Sequence, residues 1–201
     1  MKIGLFGGTF DPIHNAHISL ARAATSQLAL DKVLFITSAD PPHKKGNTTL
    51  SADIRHKLVS IAIENDASFF PCDVEIKREG YSYSYYTVLQ IKEQMPNDEL
   101  IFIVGGDSLD YIDKWYNASE LLKLCEFAAY PRGEIDTEKL FEIANDLKAR
   151  FGAVCHIIDA PCIDISSTEL RTRLQNGDDV SRLVPKGVAE YIYKHNLYKN
   201  K

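Results

Sequence analysis

Lys2-Ile3-Gly4-Leu5-Phe6-Gly7-Gly8-Thr9-Phe10-Asp11-Pro12-Ile13-His14-Asn15-Ala16-His17 opens the chain. The apolar run from Lys2 to Phe6 stops at two glycines, which predicts a buried strand and then a tight turn. From about Asn15 to Leu30 the apolar residues return at helical spacing, with Ile18, Ala21, Thr25 and Leu28 on one face. A strand, a Gly-rich turn and a helix in this order form the first unit of an alternating α/β chain.

The alternation continues outward from that unit. Val33 to Thr37 is apolar and β-branched and predicts a second strand; Ser38 to Asn47 reads as a loop. Ser51 suits the cap of a helix that would bury Ile54, Leu58, Ile61 and Ala62. Ser68 to Ile76 reads as extended, Ser84 to Gln94 as helical, and Leu100 to Val104 as a fully buried strand. Short helical segments from Asp107 to Leu124 precede a strand at Phe127 to Tyr130, a helix from Asp136 to Arg150 and a strand at Val154 to Ile158. Two helices close the chain, Ser166 to Gln175 before Asn176-Gly177, and Pro185 to Tyr193. The expected class is α/β, a Rossmann-like doubly wound, mainly parallel sheet with helices on both faces. Residues 1–201 are expected to form one domain, with a small helical piece from about 166 to 201. Ligands of such sheets bind at the carboxyl ends of the strands, where both Gly7-Gly8 and Gly105-Gly106-Asp107 fall.

The 201 residues are 45% hydrophobic and 25% charged, ordinary globular values that argue against disorder. The net charge of -5 disfavours a nonspecific nucleic-acid binder, which needs many cations against phosphates. Cys72, Cys125, Cys155 and Cys162 include no Cys-x-x-Cys pair, and reduced thiols are expected. The first apolar run is too short for a signal core, and no stretch approaches the ~20 apolar residues of a membrane span. The expected compartment is the cytoplasm, with no membrane or nucleic-acid partner; the oligomeric state is open, a homo-oligomer included.

Two constellations carry chemistry. In the first, Gly7 and Gly8 let backbone approach a ligand, and the turn feeds a helix N-terminus whose free N–H groups favour phosphate. His14 and His17, three apart, would share a side and add imidazole donors. The stretch is neither a P-loop nor G-x-G-x-x-G. Taken alone, the two histidines also fit solvated loop residues, or a zinc pair lacking a third ligand. In the second, Ser166 with Glu169 reads as a capping box, while Ser167, Thr168 and Arg171 make the same helix start a second anion site. Two helix N-termini aimed at one crevice would hold a triphosphate from two sides.

Gly-Gly-Thr-Phe-Asp-Pro-Ile-His-x-x-His at 7–17 and Ile-Ser-Ser-Thr-x-x-Arg at 165–171 resemble the paired signatures of the nucleotidyltransferase α/β-phosphodiesterase superfamily. Within it the chain is similar to the bacterial nicotinate-nucleotide adenylyltransferases from Lys2 to about Tyr198. Pro41-Pro42-His43-Lys44, Ser82-Tyr83-Ser84, Val104-Gly105-Gly106-Asp107-Ser108 and Lys114-Trp115-Tyr116 support the likeness, as do Leu174 to Gly177 and the stretch from Tyr191-Ile192 to Leu197-Tyr198. The resemblance implies adenylyl transfer from ATP to nicotinate mononucleotide, giving deamido-NAD and pyrophosphate, with Mg²⁺ carried by the ATP phosphates and no dedicated protein metal site. It implies His14, His17 and Arg171 as catalytic, and an ATP site of Gly7, Gly8, Thr9, Phe10, His14, His17, Gly105, Asp107, Ser167, Thr168 and Arg171. It implies a mononucleotide site of Thr9, Lys44, Ser84, Asp107, Trp115 and Tyr116, with the pyridine stacked on Trp115 and its carboxylate on backbone N–H groups near Ser84 and Tyr116.

The chain departs from that pattern in places. Ala16 stands where Gly is usual, Ser84 for the commoner Thr, and Tyr86 where an acid is frequent. Pro131-Arg132-Gly133 replaces Arg-Pro-Gly, so Arg132 is not carried over as a substrate contact, and Arg78 reads as solvated surface. Tyr81, Tyr83, Tyr85 and Tyr86 pack the pyridine loop or cover core, the second being usual for aromatics with a polar tip. His56 is expected on the exposed side of its helix, and His156 and His195 as structural or solvated. Competing readings are nicotinamide mononucleotide or phosphopantetheine as acceptor, a cytidylyl donor, and a nucleotide-binding regulator without turnover.

Overall fold

The structure, a computed structural model, describes residues 1–39, 50–160 and 165–199. Six strands run parallel in one sheet: β1 (Lys2–Gly8), β2 (Lys32–Thr37), β3 (Phe69–Cys72), β4 (Glu99–Gly105), β5 (Glu126–Tyr130) and β6 (Cys155–Ile157). Their spatial order is β3-β2-β1-β4-β5-β6, so the winding reverses between β1 and β4, the doubly wound arrangement expected. The registers Leu5↔Leu34 and Leu5↔Phe102 seat β1 between two strands whose middles are apolar. That placement explains why the central strands lack polar alternation.

The helices divide by face. Phe6, Val33 and Phe35 point to one core, shared with α1 (Asn15–Leu28), α2 (Ala52–Ile63), α7 (Ser167–Asn176) and α8 (Lys186–Lys194). Ile3, Leu5, Leu34 and Ile36 point to the other, packed by α3 (Ser84–Gln94), α4 (Gly106–Asp110), α5 (Ala118–Leu124) and α6 (Thr137–Phe151). The period-2 side-chain alternation of each strand feeds both cores. Helix ends follow their chemistry: Asp136 Oδ1 accepts from Lys139 N–H at 2.8 Å, and Gly152 and Gly177 close α6 and α7 with left-handed φ of 70° and 83°.

Three local expectations are corrected. The extended stretch from Ser68 stops at Cys72, because Lys77 N–H turns back to Asp73 C=O at 3.0 Å. On α2 the buried residues are Arg55, Leu58, Val59 and Ile63, a face rotated from Ile54, Ile61 and Ala62 toward a buried arginine. His56 is half-buried rather than exposed, its Nδ1 3.2 Å from Thr37 Oγ1, and desolvation lowers its pKa. The described cysteines, Cys72, Cys125 and Cys155, are free thiols; burial raises Cys72 and pushes Cys125 up to about 12 and Cys155 to about 11, which keeps them protonated near pH 7. Cys162 lies outside the described residues.

Candidate active site

The turn after β1 is built on an aromatic knot. Phe10 adopts φ +49°, a left-handed conformation costly for a bulky residue, and its ring is locked between Phe6 (5.7 Å), Phe35 (6.0 Å) and His17 (5.1 Å). A Cβ on Gly8 would stand 2.8 Å from that ring, so glycine is required there by contact. Asp11-Pro12 is a cis peptide.

His14 caps α1 in extended conformation and stacks on His17 with centroids 3.7 Å apart. The backbone N–H of His14 donates to His17 Nδ1 at 3.2 Å. With Nδ1 accepting, the proton of a neutral His17 ring sits on Nε2, which makes that atom a donor. His14 is 5% exposed; burial first, then the charge of Arg132, brings its pKa to about 4. Its ring is therefore neutral near pH 7, and its Nδ1 is buried with no hydrogen-bond partner among the described residues. His14 thus offers neutral imidazole rather than fixed positive charge.

The second signature meets the first across 160 positions of sequence. Arg171 Nη1 donates to Asp11 C=O at 2.9 Å, Ser167 Oγ to Pro12 C=O at 3.0 Å, and Arg171 Nη2 to Thr168 Oγ1 at 3.2 Å. Ser166 Oγ caps α7 from Glu169 N–H at 3.1 Å. The reciprocal half of the expected capping box gives way to another contact, because Arg173 Nε donates to the Glu169 carboxylate at 2.9 Å one turn on.

These parts face one cleft of about 1220 Å³ at the carboxyl ends of β1 and β4, ample for two nucleotides. Gly7, Gly8, Thr9, Phe10, His14, His17, Gly105, Ser167, Thr168 and Arg171 line it together. Ser84, Trp115 and Tyr116 line it as well. The N-termini of α1, α3 and α7 all open into it, and Tyr83 at the start of α3 makes no side-chain cap. Trp115 is half-buried, edge-on to Phe102 at 6.3 Å, so it serves both core and cleft. Asp107 is exposed and outside the lining: its Oδ1 accepts from Ser108 N–H at 2.9 Å, and Arg132 lies 3.8 Å away. Lys44 lies outside the described residues.

Several residues escape a reading of the sequence. Arg132 lines the cleft, its Cδ 2.7 Å from where a Cβ on Gly105 would stand, so the shifted Pro-Arg-Gly still delivers a cation. Arg55, 1% exposed, donates through Nη1 to Thr9 C=O, through Nη2 to Ala39 C=O and through Nε to Leu50 C=O. Arg78 is half-buried and donates to Thr87 Oγ1 at 2.9 Å, which donates to Glu75 Oε1 at 2.7 Å. Glu75 lines the cleft and its Oε2 is buried without a hydrogen-bond partner among the described residues. Tyr81 and Tyr86 are exposed rather than covering core. Tyr83 stacks on Tyr116 at 4.6 Å, and Tyr86 Oη lies 2.9 Å from Tyr116 Oη, so these tyrosines brace the segment that carries Trp115.

Among the described residues no group of three or more His, Cys, Asp or Glu side chains could hold a metal ion, and no helix is long and apolar enough to cross a membrane. Comparison with known proteins places this geometry. Residues 5–173 match the cytidylyltransferase-like family. The chain is 40% identical over 198 residues to a probable nicotinate-nucleotide adenylyltransferase of Clostridium novyi (strain NT), spanning 98% of this chain and 99% of that one. It is 38% identical to the protein of the same name from Clostridium botulinum (strain Kyoto / Type A2), over 97% and 98% of the two chains. The Plasmodium falciparum nicotinic acid mononucleotide adenylyltransferase complexed with NaAD superposes with a TM-score of 0.80 over 98% of this chain and 97% of that one; at 23% identity this likeness establishes the fold. The chain belongs to the cytidylyltransferase-like family and, within it, to the nicotinate-nucleotide adenylyltransferases.

Proposed function

We propose that the cleft transfers the adenylyl group of ATP to nicotinate mononucleotide, releasing pyrophosphate and giving deamido-NAD, a cytoplasmic step of NAD biosynthesis. The observation that carries this reading is the direct tie of α7 to the first turn, Arg171 to Asp11 C=O and Ser167 to Pro12 C=O. It brings two phosphate-binding helix starts and a histidine pair onto one cleft wide enough for both substrates.

The reaction needs no protein nucleophile. A phosphate oxygen of the mononucleotide attacks the α-phosphorus, and the bond from that phosphorus to the bridging oxygen of pyrophosphate breaks. The protein supplies in-line positioning and stabilises charge on equatorial and leaving oxygens. The backbone N–H groups of Gly8, Thr9 and Phe10 approach the phosphates. His17, donating from Nε2, and the neutral His14 ring bind the α-phosphate region where charge develops. Ser167 through its backbone N–H, since its hydroxyl is given to Pro12 C=O, Thr168 through its hydroxyl and Arg171 through its remaining N–H groups hold the β- and γ-phosphates as they become pyrophosphate. The cradle's donors are N–H groups, hydroxyls, imidazoles and a guanidinium, which suit phosphate oxygens better than a cation. Mg²⁺ in this reading is held by the ATP phosphates and screens their charge.

At the other end the pyridine stacks on Trp115, worth about 0.5–1.5 kcal/mol beyond burial. Its carboxylate meets the N–H groups of Ser84, at the uncapped start of α3, and of Tyr116. A helix N-terminus favours the acid, and an amide would leave donors unpaired. Asp107 at the rim takes ribose hydroxyls, and Lys44 neutralises a phosphate. The test is product identity: purified protein with ATP, Mg²⁺ and nicotinate mononucleotide yields deamido-NAD by chromatography. Folded protein that forms no dinucleotide overturns the reading.

A further inference from the structure

The C-terminal segment does more than complete the core. Tyr198 is 4% exposed and held at φ +65°, a left-handed conformation an aromatic residue rarely adopts. The preceding Leu197 N–H bonds to Ile192 C=O at 3.0 Å, which pins the chain as it leaves α8. From there Tyr198 Oη donates to Asp11 Oδ1 at 2.8 Å, a fully buried bond between the tail and the centre of the first turn. Asp11 is thus gripped by Arg171 through its carbonyl and by Tyr198 through its carboxylate. The segment between α7 and α8 ties to the start of α1, just after the turn. Asn15 N–H, at the start of α1, donates to Leu183 C=O at 3.0 Å, and Asn15 Nδ2 to Arg182 C=O at 3.0 Å. A Phe would fill the space of the Tyr198 ring equally well. The hydroxyl is what Phe would lack against the buried carboxylate, and burial together with the charge of Asp11 keeps that phenol protonated, hence a donor.

We infer that Tyr198 is a positioning residue: its hydroxyl fixes Asp11, and with it the neighbouring backbone donors of Thr9 and Phe10, in the conformation that receives the ATP phosphates. The inference rests on the reading of the cleft as an ATP site, and its test separates the two. Tyr198→Phe removes the hydroxyl alone. Leu197→Ala is the control, since Leu197 packs on the same core without a polar contact to the turn. Both are compared with the parent protein by thermal melts, by calorimetric binding of Mg·ATP, and by steady-state kinetics with each substrate varied.

The expected result is that both variants melt earlier, while only Tyr198→Phe weakens Mg·ATP binding and raises the KM for ATP, by about tenfold, the loss expected for one buried bond to a charged group. In Tyr198→Phe the KM for ATP rises several-fold more than that for nicotinate mononucleotide, which shares only Thr9 with the ATP site at this turn, and in Leu197→Ala neither moves by more than about twofold, a split that a general loss of packing does not produce. Unchanged ATP constants in Tyr198→Phe, or an equal shift in Leu197→Ala, overturn the inference. If Tyr198→Phe is recovered unfolded, Asp11→Asn weakens the same bond from the acceptor side and is held to the same criteria. If the parent binds Mg·ATP but makes no dinucleotide, the proposed function falls, and the role of Tyr198 is decided by the binding constants alone.

Discussion

Arg55 offers the sharpest test of how the first turn is held. It is a fully buried cation whose three nitrogens each meet a backbone carbonyl, those of Leu50, Ala39 and the cleft-lining Thr9. Burial lowers its pKa, opposed by the charge of Asp11, so the guanidinium is poorly hydrated and depends on these partners. Arg55→Met keeps much of the volume and leaves three carbonyls without their donor. Each charge-assisted bond is worth about 1.5–3 kcal/mol net, but taking the guanidinium out of water offsets a large part of the sum. Removing one side of such a buried cluster costs about 3–5 kcal/mol, which lowers the Tm of a chain this size by about 6–20 °C. Arg55→Lys recovers part of the loss, since a single ammonium reaches fewer of the three carbonyls than the planar fork. The assay is urea unfolding at constant m-value beside KM for ATP, which rises because Thr9 C=O loses its anchor. A Lys variant as stable as the parent would overturn this reading, because a buried charge without the fork would then suffice.

Other expectations follow the same logic. His17→Ala lowers kcat by about 100-fold or more, the scale for losing an electrostatic donor in a water-poor site, with circular dichroism unchanged; near-normal turnover removes the phosphate cradle. Trp115→Ala raises the KM for the mononucleotide by about tenfold and that for ATP by less than about twofold, and an equal effect on both marks Trp115 as structural. His14 makes stability fall with acid. Its folded pKa, about 4, lies below the ordinary 6.5, so as pH drops through 6.5 the unfolded chain takes the proton first. The stability present above pH 6.5 is then lost progressively until about pH 4, on the order of 3 kcal/mol in all. Denaturant titrations of His14→Asn lack that part of the slope; an unchanged slope contradicts the assigned burial.

The strand–helix alternation is legible because each buried strand is a nearly unbroken apolar run ending at a turn, as in Lys2–Gly8 and Glu99–Gly105. The two signatures are legible as candidate anion sites at helix starts, although taken alone the histidines also fit solvated loop residues and Ser166 with Glu169 a helix cap. Their junction is not, because Arg171 and Ser167 grip backbone carbonyls, and any residue carries one of those. The same reason hides Arg55: in an amphipathic helix an arginine reads as solvent-facing, and only the fold brings three carbonyls to it. The face expected for α2 is therefore rotated toward Ile61 and Ala62. Arg78 deceives likewise, its partners Thr87 and Gln90 coming from the next helix. The tyrosine run is ambiguous by nature, since a ring with a polar tip suits core and rim alike. Tyr86 and Tyr116 reach the rim because each supplies the other's hydroxyl partner.

Everything proposed for this cleft turns on its joining ATP to a pyridine mononucleotide that bears a carboxylate. The decisive measurement is the rate of pyrophosphate release with ATP and Mg²⁺, offering nicotinate mononucleotide, nicotinamide mononucleotide and phosphopantetheine in parallel. The expected result is turnover with the nicotinate form and a strong preference for it over the other two. Preference for the amide would contradict the carboxylate site at Ser84, Trp115 and Tyr116, and silence with all three from a folded, ATP-binding protein would contradict the reaction itself.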